Sequence, residues 1–121
     1  MPLSNQPASP TNRRRAAYDP LALAARRRFV GLAGWFESGT GDATAHEAVS
    51  TIVPQLDAAG ADVCVIERTG QHNFLFWRDA FRHALPWVAA RTGLTTTAPE
   101  AVCAAAHGND GSSNEVALAI R

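Results

Sequence analysis

Asp62-Val63-Cys64-Val65-Ile66-Glu67, closed by Arg68-Thr69-Gly70, is a short apolar run rich in branched residues with a turn signal behind it, and it reads as a buried strand. Upstream, Phe29-Val30-Gly31-Leu32-Ala33-Gly34-Trp35-Phe36 has the same texture and ends in the turn-rich cluster Glu37-Ser38-Gly39-Thr40-Gly41-Asp42, which predicts a first strand and a loop. Between them Thr44 and Glu47 form a capping box, and Ala48, Ile52, Val53 and Leu56 recur at helical spacing until Gly60. Pro54 is expected to kink or restart that helix. About two dozen residues between the strands suit a crossover joining parallel strands and are too many for a hairpin. After Asn73 the stretch Phe74 to Arg91 reads as a helix with Phe74, Trp77, Phe81, Leu85 and Val88 near one face and an interruption at Pro86. The fold class expected is α/β, strand-helix-strand-helix with parallel strands.

The flanks read differently. Residues 1–17, rich in proline and small polar residues, are expected to be a disordered tail, and residues 94–121 a low-order tail in which apolar periodicity is lost, apart from one short helix around Glu100 to Ala106. The ordered region is expected to span residues 18–93. Apolar residues make up 46% and charged residues 18% of the 121, a globular balance. The formal net charge is zero, which gives no reason to expect nucleic acid or an anionic membrane as a partner. All eleven basic residues are arginine, and the runs Arg13 to Arg15 and Arg26 to Arg28 read as compositional bias. Cys64 lies in an apolar run where a reduced buried thiol is ordinary, so no bridge to Cys103 is expected. Neither a secretory signal nor a membrane-spanning segment is read, and the expected location is cytoplasmic.

Parallel strands put their carboxyl-end loops on one edge of the sheet, so the loops holding Asp42 and His72 are expected on the same side. A histidine that takes a proton at one ring nitrogen needs a carboxylate on the other to fix its tautomer and stabilise the imidazolium. Asp42 and His72 fit those roles, with acid before histidine in the chain. Glu47 is a second candidate acid, although a helix-capping or solvated role is its ordinary use. His46-Glu47 suggests zinc only until Ser50 is found where H-E-x-x-H needs its second histidine. No metal or cofactor is expected. His83 reads as a half-exposed helix residue, and Trp35, Trp77 and Trp87 as core.

Trp35-Phe36-Glu37-Ser38-Gly39-Thr40-Gly41-Asp42, Leu56-Asp57-Ala58-Ala59-Gly60-Ala61-Asp62-Val63, Gly70-Gln71-His72-Asn73, Phe76-Trp77-Arg78 and Leu85-Pro86-Trp87 together resemble the C-terminal end of the putative esterase family of α/β hydrolases. That family includes esterase D-like, enterochelin esterase-like and mycolyltransferase-like enzymes. The resemblance covers about residues 18–93 and implies a serine carboxylic-ester hydrolase with His72 as catalytic histidine and Asp42, or second Glu47, as the acid. Gln71 stands where the family usually has a small residue. No Gly-x-Ser-x-Gly occurs in the sequence, so the resemblance implies a truncated or split esterase lacking its nucleophile and inactive alone. Its partners would be an ester substrate, once a nucleophile-bearing segment completes it, and a chain associating through an exposed sheet edge. The alternative is a small non-catalytic α/β module that pairs with a partner chain. A two-stranded sheet is marginal in water, so the isolated chain is expected to be poorly stable.

Overall fold

The computed structural model describes residues 10–108. Two short helices lead in, α1 (Pro10–Tyr18) and α2 (Pro20–Arg26), followed by β1 (Ala33–Gly39), α3 (Ala43–Ala58), β2 (Asp62–Arg68), α4 (Phe74–Arg91) and α5 (Pro99–His107). The strands pair in parallel, with Ala33 opposite Asp62 and Gly39 opposite Arg68. The α/β class and the parallel crossover thus stand as the sequence predicts. Helix α3 covers one face of the sheet, while α4 and α5 pack on the other around Cys64, Ile66, Trp87 and Trp35. Among the described residues no helix is long and apolar enough to cross a membrane.

Residues 10–17, expected to be disordered, lie in α1, a run of arginine and alanine with good intrinsic helix propensity. Arg26 Nη2 donates to the Ala16 carbonyl at 3.0 Å and ties α2 to it. The rest of that expected tail, and residues 109–121 of the C-terminal one, lie outside the described residues. The predicted short helix near the C-terminus is α5.

The first strand begins later than the apolar run suggests. Gly31 adopts a positive φ of 89°, and the Leu32 N–H turns back onto the Phe29 carbonyl at 3.1 Å, so residues 29–32 form an entry turn. Pairing then runs on through Glu37 and Ser38. Pro54 and Pro86 interrupt neither helix, because both lie on exposed sides and the carbonyls they deprive of a donor, those of Ser50 and Arg82, belong to exposed residues that water can satisfy.

Helix α4 has the predicted bounds but buries another face. Phe76, Trp87 and Ala90 are buried, whereas Phe74, Trp77, Phe81, Leu85 and Val88 remain exposed. Trp87 meets Trp35 with ring centroids 5.9 Å apart, and that contact sets the rotation of the helix. The expectation of free cysteines is also overturned: Cys64 in β2 and Cys103 in α5 form a disulfide, with Cα atoms 5.9 Å apart. Helix α5 carries few large apolar groups, and the bridge fastens it to the most buried position of the sheet.

Candidate functional site

The two loops at the carboxyl end of the sheet continue the ladder beyond the strands. Thr40 N–H donates to the Arg68 carbonyl and Gly41 N–H to the Gly70 carbonyl, both at 2.8 Å. Such an approach requires glycine. A Cβ on Gly39 would run into the Gly70 backbone, and one on Gly70 would enter the Phe76 ring. The Gln71 side chain lies against Gly41, in space that a Cβ there would fill.

This approach brings Asp42 to His72. Asp42, rather than the predicted Thr44, caps α3: its Oδ1 accepts from the Ala45 N–H at 3.1 Å. Its Oδ2 lies 2.6 Å from His72 Nδ1. The carboxylate is buried, with 8% of its side chain exposed, while 68% of the His72 side chain is open to solvent. An ionised Asp42 makes Nδ1 the protonated nitrogen and leaves the Nε2 lone pair outward. Among the described residues no side chain is hydrogen-bonded to Nε2. The ring also meets Trp77 at 4.9 Å between centroids, nearly perpendicular at 87°. Asn73, next to His72, caps α4 by accepting from the Phe76 N–H at 3.0 Å, so the histidine sits where one helix begins and the aspartate where another does.

The hydrogen bond with His72 holds the Asp42 carboxyl below the ordinary aspartate value; the Ala45 N–H adds to this, burial opposes it, and the His72 charge contributes least. A carboxylate whose folded pKa is depressed contributes stability above its unfolded pKa and loses it as pH falls through the folded one. An acid titration followed by NMR is therefore expected to hold the Asp42–His72 pair intact at neutral pH and to break it only as pH falls below the ordinary aspartate value of about 4. Asp42→Asn should remove that acid-side dependence, and an unchanged profile in this variant would rule out the pair as its source.

The other predicted acid goes elsewhere. Glu47 is exposed on α3 and lines a groove with Asp19, Pro20 and Phe36, on the α2 side of the helix. His46 pairs with Glu67 at 3.3 Å, not with a metal-binding partner on its own helix. Ligand atoms of Cys64, Cys103 and His107 lie within 4.8 Å of one another, but both sulfurs are committed to the disulfide.

Sequence reasoning misses a buried polar cluster directly beneath the loops. Glu37, with 2% of its side chain exposed, accepts from Arg68 Nε and, on the second oxygen, from Trp35 Nε1 at 3.2 Å. His83 Nδ1, on α4, lies 3.0 Å from Glu37 Oε1. Arg68 also stacks over the Phe76 ring, 4.9 Å from its centroid. The cluster joins both strands to α4 just before the loops diverge. Strand alternation was the available signal: Glu37 shares a face with Trp35, and Arg68 shares one with Cys64 and Ile66.

Comparison with family models, with curated proteins and with solved structures finds no match to this chain.

Proposed function

We propose that Asp42 and His72 are the acid and histidine of a serine carboxylic-ester hydrolase, and that residues 18–93 are the C-terminal strand-helix-strand-helix portion of an α/β-hydrolase fold. The observation that carries this reading is the pair itself: a buried carboxylate on Nδ1 at 2.6 Å and an exposed ring whose other nitrogen has no partner among the described residues. A tautomer fixed in this way is what a general base requires.

The nucleophile is a serine on a Gly-x-Ser-x-Gly turn contributed by a segment outside these 121 residues. Nε2 of His72 takes the hydroxyl proton as the serine oxygen attacks the ester carbonyl, and Asp42 stabilises the imidazolium. His72 returns the proton to the departing alkoxide, leaving an acyl-enzyme. Water then attacks that acyl group, His72 again accepting and returning a proton, and the acid is released. On this reading the chain supplies the acid and the histidine, and the attacking group comes from the completing segment.

A non-catalytic module that pairs with a partner chain is the second reading, favoured by the outer edges of the two-stranded sheet and by the exposed Phe74, Phe81 and Leu85. The compartment that suits the disulfide is an oxidising one, in place of the cytoplasm expected from the sequence.

Hydrolysis of a short-chain nitrophenyl ester separates the two readings. The purified chain is expected to give no turnover above buffer. Co-expression with the Gly-x-Ser-x-Gly-bearing portion of an α/β hydrolase should restore it, and His72→Ala or Asp42→Asn should then lower kcat by roughly 10⁴-fold. Restored turnover indifferent to His72→Ala, or a stable complex without any turnover, would leave the interaction module as the better account.

A further inference from the structure

We propose that Trp77 is a positioning residue for His72, holding the imidazole in the plane in which Nε2 is presented; the catalytic purpose of this contact rests on the esterase reading, while the contact itself does not. Among the described residues the His72 ring makes one hydrogen bond, and a single bond at Nδ1 leaves the ring free to swing about the axis joining it to Asp42 Oδ2. A side chain that is 68% exposed gets little restraint from packing. The perpendicular indole at 4.9 Å supplies the missing constraint, since rotation of the imidazole would drive it into the Trp77 ring or break the edge-to-face contact.

Trp77 is not explained by the core. Trp77 is 47% exposed, whereas the neighbouring Phe76 is buried against Gly70 and Arg68. Its place follows from the start of α4. Asn73 caps the helix immediately after His72, and the Trp77 N–H donates to the Asn73 carbonyl at 3.2 Å, closing the first turn. Any residue at this position is carried back over the loop that holds the histidine, because helical side chains lean toward the N-terminus. An aromatic ring there reaches the imidazole; a short side chain does not.

The test uses the full 121-residue chain and needs no turnover. NMR of the His72 ring reports the Nδ1-bound proton, its exchange with water, and the tautomer. Trp77→Leu keeps apolar volume on a half-exposed position, so the fold is retained, but removes the ring. Faster exchange or loss of the Nδ1 proton signal is expected in this variant, together with a mixed tautomer. Trp77→Phe should restore the proton signal and most of the tautomer preference. An Nδ1 proton signal, exchange rate and tautomer in Trp77→Leu identical to those of the unaltered chain would overturn the proposal. Failure of the esterase reading is seen separately, as absence of turnover in the co-expressed enzyme while the Trp77 effect on the ring persists.

Discussion

Reduction of the Cys64–Cys103 bridge, or Cys103→Ser, is expected to lower the stability of the chain by about 4 kcal/mol. The figure follows from the 39 residues separating the two cysteines, whose closure removes entropy from the unfolded chain. A loss of this size matters more here than in a larger domain. Among the described residues two strands form the sheet, and the buried apolar set is small, with alanines making up half of its members. Total stabilities of 5 to about 15 kcal/mol are usual for complete domains, so the reduced chain falls near the point of unfolding. Urea titrations with and without a phosphine reductant measure the difference. A thiol count on protein purified without reductant should find Cys64 and Cys103 unreactive. Two reactive thiols in the native chain, or a denaturation midpoint indifferent to reductant, would show that the bridge contributes nothing. The expectation of a poorly stable chain applies to the reduced form, because a two-stranded sheet gains little from its own pairing while the bridge constrains what it unfolds to.

Glu37→Gln should be comparably damaging, at about 3–5 kcal/mol, because it leaves the Arg68 guanidinium in place with its counter-charge gone. Only 15% of the Arg68 side chain reaches solvent, and its Nη2 is already buried without a partner, so water cannot make up the loss. His83 and Trp35 also lose part of their acceptor. Pairing the variant with Arg68→Met distinguishes this cause from loss of shape. Replacement of both charges by groups of similar volume removes the uncompensated charge, and the double variant should recover much of the stability. A Glu37→Gln protein within 1 kcal/mol of the original, measured by urea unfolding at neutral pH, would show that the cluster is better solvated than its burial implies. Since Arg68 and Phe76 support Gly70, the same variant should also loosen the His72 loop, visible as faster exchange of its Nδ1 proton.

The candidate site is legible in the sequence to the extent that it depends on topology. Two apolar runs separated by a helix imply parallel strands, and parallel strands bring the loops after them to one edge; Asp42 and His72, 30 residues apart, meet for that reason. Choosing between Asp42 and Glu47 required the turn geometry, because only the loop position reaches the ring while the helix position faces the groove beside α2. The capping role shows the same limit. Thr44 and Glu47 form an acceptable capping box, yet the tight Gly39–Gly41 turn delivers Asp42 to the helix start first.

The sequence by itself determined the order and type of the central elements, because strand and helix periodicities are properties of local backbone geometry and need no knowledge of neighbours. It also determined that the loops of Asp42 and His72 share one edge, through their positions at the ends of those elements. Tertiary structure alone decided which face of α4 meets the sheet, that Cys64 bonds to Cys103, and that Glu37 is buried with Arg68 and His83. These outcomes join residues 31 to 52 positions apart, from Glu37–Arg68 to Trp35–Trp87. A buried charge is tolerated or a thiol is oxidised according to what stands opposite in space, and no periodicity within one segment carries that information.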